Sequence, residues 1–349
     1  MNPDRYKKLT IHDIIQETND VKIFYFDKSS SEGILYKPGQ YLTFIFDESG
    51  TGSRRSYSLA SSPVLDEQLY IGIKRIPNGS FSRKLFDHAK PGDSLITAGV
   101  GGVFTLPEEV HLYRQFFFFA AGSGILPIYS LIKTLLHSYP FTRLVLIYSN
   151  RSVAKSVFYE ELNSLQARYP DTLHIEFLFS NTEDLFRARL HADLVGMYLE
   201  TLAIDKLDNC LYYICGPESY MRFCTFVLQG YKIPSQNIKR EIFHTARPVS
   251  GIEPPDKDAH LVSIQKGETE YQVQVRYPTT ILQAARKQGI DMPYSCEVGR
   301  CGNCMAECLR GNVWMSYNEV LTERELARGL VLTCTGFPVG GDVSIKVPS

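Results

Sequence analysis

The sequence predicts a multidomain protein: an antiparallel β-barrel, then an α/β domain, then a small α+β domain. Three observations predict it. Up to about residue 108, short β-like runs alternate with turn signals, the pattern of a small barrel. From about residue 112 the rhythm changes to strand, helix, strand, helix, which a doubly wound parallel sheet produces. Beyond a stretch rich in Pro, Gly and charge, two more β-like runs and a helix lead into a cysteine-bearing loop. The expected domains are residues 1–108, 109–246 and 259–349, with a linker at 247–258, and a chain of 349 residues has room for them.

In the first domain the strand candidates are VKIFYF from Val21, QYLTFIF from Gln40 and LYIGIK from Leu69, with turns at KPGQ and KPGD. In the second they are QFFFFAAG, RLVLIYSN, LHIEFLFS and CLYYICG, separated by helical segments such as SVFYEELNSLQARY. The apolar run from Phe116 to Ala121 is far too short to span a bilayer and reads as a buried parallel strand. RPVSGIEPPDKDA has linker composition. The third domain opens with HLVSIQ and YQVQVRY, followed by the helix TILQAARKQG.

Composition narrows the function. A net charge of −1 argues against a nucleic-acid-binding surface. The start, MNPDRYKKLT, lacks the apolar stretch of a secretory signal, so neither membrane nor export is expected. Four of the eight cysteines, Cys210, Cys215, Cys224 and Cys308, fall in segments that read as ordinary strand or helix. A reducing cytoplasm fits this usage.

The other four carry the most specific signal. Cys296, Cys301 and Cys304 form a C-x4-C-x2-C run in YSCEVGRCGNC, and Cys334 follows in VLTCTG. That spacing matches the plant-type [2Fe-2S] signature. Gly299 and Gly302 let such a loop turn tightly and aim N–H groups at sulfur. The alternatives are a zinc site or four buried cysteines; zinc favours paired C-x2-C knuckles, and one pair is present.

Three further segments suggest anion and nucleotide sites. Arg54-Arg55-Ser56-Tyr57-Ser58 places a tyrosine between serines at a strand end, a common structural pattern by itself. Asn78-Gly79-Ser80-Phe81-Ser82 precedes the amphipathic run RKLFDHA, and free N–H groups with hydroxyls at a helix start favour phosphate. Ala120 to Pro127, AAGSGILP, follows an apolar strand and opens a helix, where open α/β sheets bind nucleotides.

On these motifs the whole chain resembles ferredoxin–NADP reductase-like flavoproteins with a C-terminal plant-type ferredoxin domain. It is most similar to reductase components of multicomponent oxygenases, the phenylacetyl-CoA epoxidase reductase type in particular. The resemblance implies an FAD-binding barrel, an NAD(P)-binding domain and a β-grasp-like ferredoxin domain. It places the R-x-Y-S motif on Arg55, Tyr57 and Ser58, with the arginine on phosphate, the tyrosine on the isoalloxazine and the serine at its reactive edge. It places pyrophosphate binding on Gly79 to Ser82, including Ser80 and Phe81, and nucleotide binding on Gly122, Ser123, Gly124 and Pro127. Cys215, Gly216 and Pro217 match its Cys-Gly-Pro motif beside the nicotinamide. Lys74 joins the expected cofactor-binding set, and Tyr57, Ser58 and Cys215 are the expected catalytic residues. Cys215 is alternatively a small buried residue. Leu126 departs from the Thr or Ala usual in the nucleotide loop. In REIFHTA, Glu241 and Phe243 stand where a residue often covers the flavin. Phe243 is read either as that cover or as core packing, and His244 either as a flavin neighbour or as an ordinary histidine.

The expected activity is an electron relay. NAD(P)H gives two electrons together as hydride, a [2Fe-2S] cluster accepts one at a time, and FAD can do both. The expected acceptor is an oxygenase, an epoxidase or another redox protein; the alternatives are a general ferredoxin or flavodoxin reductase and a cluster-based redox sensor. NADPH is the expected donor over NADH. RLVLIYSN ends at Ser149-Asn150-Arg151, with no acid before Glu160, and arginine offers a fork for a 2′-phosphate. Arg151 is alternatively a solvated loop charge.

Overall fold

The computed structural model describes residues 6–46, 54–77, 79–243 and 253–347, with Ser80 described by its backbone alone. Asn78 and His244 lie outside the described residues. The chain divides into two compact units, Met1–Ile242 and Phe243–Ser349.

The first unit opens with six strands: β1 (Lys7–Thr18), β2 (Val21–Phe26), β3 (Tyr41–Ile45), β4 (Arg54–Ser58), β5 (Tyr70–Lys74) and β6 (Ser94–Gly101). They pair antiparallel in the order β4-β3-β6-β1-β2-β5. Just past β4, Leu59 bridges Ile71 of β5, bringing the two edges together and closing the barrel. Its interior holds Leu9, Ile11, Phe24, Phe26, Leu42, Phe44, Ile71 and Ile73, each no more than 1% exposed. Two helices interrupt the strands, α1 (Lys28–Ser31) and α2 (Ser80–His88).

Five parallel strands follow: β7 (Gln115–Ala121), β8 (Arg143–Asn150), β9 (Leu173–Phe179), β10 (Leu211–Cys215) and β11 (Ile238–Glu241). Their connections include α3 (Ile125–Ser138), α4 (Tyr159–Arg168), α5 (Ala192–Leu202) and α6 (Glu218–Gly230). The phenylalanine run of β7 supplies both faces. Phe116 and Phe118 enter the core with α3, whereas Phe117 and Phe119 enter the one with α5 and α6. A strand buried on both sides is apolar nearly throughout, and its one polar residue, Gln115, is buried with its amide paired to the Leu202 carbonyl and to Ile204 N. The order β11-β10-β7-β8-β9 means that the chain winds outward from β7 and then returns to β7's other side as β10. The carboxyl ends of β7 and β10 therefore flank a topological switch point, where such sheets bind ligands.

Barrel and α/β layer share one core: Val21, Ile23, Tyr70 and Phe104 pack with Ile125, Leu131 and Ile132. A polar seam runs beside it. Lys133 of α3, 7% exposed, meets Glu67 at 2.6 and 2.9 Å and donates to the Tyr70 hydroxyl at 2.7 Å. Ser130 Oγ donates to the Ser61 carbonyl at 2.6 Å, and the Ser62 and Thr134 hydroxyls are 2.7 Å apart. Burial pulls the Lys133 pKa down, against the pull of Glu67.

The second unit contains β12 (His260–Lys266), β13 (Thr269–Val275), α7 (Ile281–Lys287), β14 (Met305–Met315), α8 (Glu323–Ala327), β15 (Leu330–Leu332) and β16 (Gly336–Val347). Its mixed sheet runs β13-β12-β16-β14-β15, with β12 and β16 parallel. Capping boxes start both helices, Thr280 with Gln283 and Thr322 with Glu325, each satisfying N–H groups the helix leaves open. Asp256 ties the segment before β12 to this unit: its Oδ2 accepts from Gly340 N at 2.7 Å and pairs with His260 Nε2 at 2.6 Å. Among the described residues, no helix is long and apolar enough to cross a membrane.

Candidate active site and metal centre

Ser58, at the end of β4, donates from Oγ to Glu241 Oε1 at 3.0 Å. Glu241 ends β11 and is 8% exposed, and its Oε2 is buried without a partner. The β10–β11 register sets Cys215 beside Glu241, so barrel and sheet each supply part of one constellation. Burial raises the Glu241 carboxyl from 4.5 to about 8, the Ser58 hydrogen bond opposing it. Cys215 is wholly buried, and burial followed by the nearby Glu241 charge raises its thiol well above the usual range. Both groups therefore keep their protons near neutrality. In the same motif as Ser58, Arg55 is exposed and Tyr57 is half-buried, its phenol raised by burial to about 12.

The predicted anion site also takes shape. Gly79 is the N-cap of α2, and a Cβ there would lie 2.3 Å from Ser82 Oγ. Ser82, 6% exposed, accepts from Ile76 N at 3.3 Å and donates to the Gly79 carbonyl at 3.4 Å. Phe81 stacks on Phe46 at 4.3 Å, and the Arg55 guanidinium lies 5.1 Å from its ring. This joins the R-x-Y-S strand to the helix start. Free amides at the first turn of α2, with Arg55 alongside, suit a phosphate.

At the switch point Gly122, Ser123 and Gly124 form one 3-10 turn leading into α3, and Pro127 lies buried in that helix's first turn. A Cβ on Gly124 would come 2.1 Å from the Cys215 carbonyl oxygen, so only glycine lets the turn lie against the Cys-Gly-Pro segment. Gly216 follows β10, and Pro217 caps α6. The Lys74 ammonium stands 3.8 Å from where a Gly122 Cβ would be and 3.9 Å from Asp20. Leu126, the departure in this loop, is 2% exposed and has a steric counterpart in β5: a Cβ on Gly72 would lie 2.3 Å from its Cδ2. Arg151 is exposed immediately after β8. Nearby Ser149 Oγ and Asn150 Nδ2, with Tyr220 OH on α6, are buried. Tyr220 interacts with Ser149 and Tyr148 with Asn150, so polar groups line the strand ends where such sheets bind nucleotides. Phe243 is 44% exposed and is the first residue of the second unit.

Within the second unit the four assigned thiols lie in pairs. Cys296 and Cys301 hydrogen-bond each other, as do Cys304 and Cys334. Amides also point at sulfur: Val298 N donates to Cys296 Sγ and Asn303 N to Cys301 Sγ, both at 3.5 Å. Gly299 and Gly302 have φ of 75° and 72°, and a Cβ on Gly299 would meet the Tyr317 carbonyl oxygen at 2.6 Å. Among the described residues no three His, Cys, Asp or Glu side chains gather round one point. A mononuclear zinc site needs that convergence; a [2Fe-2S] core takes two thiolates on each iron, and the donor set fits it. Cys308 instead directs its thiol to the Arg310 and Gly311 carbonyls, at 3.6 and 3.5 Å.

Glu241 is the candidate that the sequence reading named only by its place in REIFHTA, where a residue often covers the flavin, and not by its contact with Ser58. Its sequence signal is weak: β11 is four residues long, and Ser58 lies 183 positions away.

Comparison with known proteins gives three family matches. Residues 8–105 match an oxidoreductase FAD-binding domain, 118–225 an oxidoreductase NAD-binding domain, and 264–339 a 2Fe-2S iron-sulfur cluster binding domain. A subunit of the 1,2-phenylacetyl-CoA epoxidase of Escherichia coli K12 is 31% identical, with 97% of each chain covered. The ferredoxin reductase component of the 3-ketosteroid-9-alpha-monooxygenase of Mycobacterium tuberculosis H37Rv is also 31% identical, over 98% of this chain and 96% of that one. In fold, the chain is similar to phthalate dioxygenase reductase, with a TM-score of 0.61 at 21% identity, covering 99% of this chain and 98% of that one.

Proposed function

Because the chain belongs to the family of ferredoxin reductase-like flavoproteins with a C-terminal [2Fe-2S] domain, we propose that it takes electrons from NADPH and delivers them singly to an oxygenase or epoxidase partner. The contact of Ser58 with Glu241, beside Cys215 at the switch point, carries this reading. It joins the FAD-binding fold to the edge of the nucleotide-binding fold.

FAD, when bound, supplies the exchange between two-electron and one-electron chemistry. Arg55 and the α2 N-terminus would hold its phosphates, with Tyr57 against the ring and Ser58 at the ring edge. Glu241 keeps a proton at that edge through Ser58, because its burial disfavours the charged carboxylate. Gly122 to Gly124 would bring the nucleotide close to the buried Cys215, which would help to keep water from it. Arg151 would pair with the 2′-phosphate, where an acidic residue would instead select NADH. Cys296, Cys301, Cys304 and Cys334 would hold the cluster. We read the domains as 1–108, 109–246 and 259–349, with a linker at 247–258. The cytoplasm is the proposed compartment: four cysteines are assigned to the cluster, and the other four, Cys210, Cys215, Cys224 and Cys308, lie in or next to strands and helices without disulfides, a usage that fits a reducing compartment.

Anaerobic NADPH added to the purified protein should bleach the flavin absorbance and then produce the electron paramagnetic resonance signal of a reduced [2Fe-2S] cluster. Combined with a cognate oxygenase or epoxidase component, it should support product formation. Bleaching without the cluster signal would overturn the relay.

A further inference from the structure

The loop between two assigned cluster ligands carries a buried charge that cluster binding alone does not call for. Arg300 immediately precedes Cys301 and is 7% exposed. Its Nε lies 2.8 Å from Glu319 Oε2, and its Nη2 donates to the Tyr317 hydroxyl at 3.3 Å. That hydroxyl donates to the same Glu319 oxygen at 2.7 Å, closing a three-membered polar network. The backbone repeats the connection. Glu319 N donates to the Gly299 carbonyl at 3.1 Å, and Thr335 Oγ1, next to Cys334, donates to the Tyr317 carbonyl at 2.8 Å. The segment from Tyr317 to Glu319 thus joins the Cys296–Cys301 loop to the turn between β15 and β16 that bears Cys334.

A buried ion pair is a poor source of net stability, since desolvation offsets most of the attraction. Four thiolates and two sulfides around two irons are net anionic, and reduction adds another negative charge. A cation next to a ligand favours that added electron, and a carboxylate tempers the effect. We propose that Arg300, clamped by Tyr317 and Glu319, is a positioning residue that both holds the cluster loop and sets the cluster's reduction potential. Arg300 and Glu319 act on the potential with opposite sign. The inference rests on the cluster reading above.

The test uses the full-length protein and its Arg300→Gln, Glu319→Gln and Arg300→Lys variants. Iron and acid-labile sulfide are measured first; an unmodified protein with neither would overturn the cluster reading itself. Redox titration followed by electron paramagnetic resonance then gives the midpoint potentials. Arg300→Gln should move the reduction equilibrium towards the oxidised cluster by about tenfold, the scale of one unit charge in a partly buried setting. Glu319→Gln should move it by a similar factor towards the reduced cluster. Arg300→Lys should stay near the original potential yet lose iron to a chelator several-fold faster, because lysine lacks the planar fork. Should Arg300→Gln not retain iron, Glu319→Gln and Arg300→Lys decide the matter. With iron retained, glutamine variants that shift together or not at all overturn the proposal, and so does loss of iron from all three.

Discussion

Glu241 places an ionisable group where the fold disfavours its charge, and that has a pH signature. Its carboxyl stays protonated in the folded chain up to about 8, against 4.5 ordinarily. Between those values the native state binds more protons than the unfolded one, so this group's contribution is full below 4.5 and falls as pH rises through about 8. Glu241→Gln should flatten that decline, on the order of a few kcal/mol across the window, as read from denaturant midpoints at several pH values. An undiminished decline in the variant would assign it elsewhere. Arg151 is the residue proposed to set the donor preference: Arg151→Ala should lower kcat/KM for NADPH by about tenfold or more and leave NADH nearly unchanged, since a charge-assisted contact is worth roughly 1.5–3 kcal/mol. Equal kcat/KM for the two donors in the unmodified protein would remove that role. Local signals were legible in the sequence at this scale. The cysteine spacing and the glycine turns can be read within a few positions, whereas the R-x-Y-S run is by itself a common strand-end pattern whose role came from the resemblance. Glu241 cannot be read locally, because its partner Ser58 is 183 residues away and a carboxylate in sequence gives no sign of its burial.

Among elements, packing of α3 on the barrel is the relation most open to direct test. Leu126 fills the space that Gly72 leaves in β5. Gly72→Ala should therefore overpack this contact and cost about 1–3 kcal/mol. Combining it with Leu126→Ala should recover part of that loss, with a coupling energy measurable in a double-mutant cycle; strict additivity would show that the two do not meet. The elements read from sequence are those whose burial is uniform or simply periodic, such as β7 with its apolar run from Phe116 to Ala121 and the hairpin strand β2. The strand β14 was not legible, because its eleven residues are mostly exposed or half-buried and include Glu307, Arg310, Gly311 and Asn312. Likewise β1 mixes lysines, His12 and Asp13 with apolar residues, and its register shifts twice against β2, which breaks the alternation that marks a strand.

Across the whole molecule, the residues proposed for flavin and nucleotide, through Glu241, lie in the unit ending at Ile242, and the four proposed cluster cysteines lie in the other. Cys304→Ser should therefore abolish most cluster absorbance yet retain NADPH-dependent ferricyanide reduction through the flavin. Cys308→Ser should keep the cluster. Full cluster occupancy in the Cys304 variant would overturn the ligand assignment. The three-part architecture was legible because each part has its own rhythm, whereas the fusion of the first two into one unit was not, since it depends on contacts such as Lys133 with Glu67 that join distant segments. That same seam has a consequence for descent and for engineering. Recombination near residue 108 would pair the ammonium of Lys133 with a foreign barrel, which need not offer a carboxylate and a phenol at the matching places. A chimera joined there should inherit a stranded buried cation, whereas an exchange made after Ile242 transmits barrel and nucleotide fold together as a single heritable cassette.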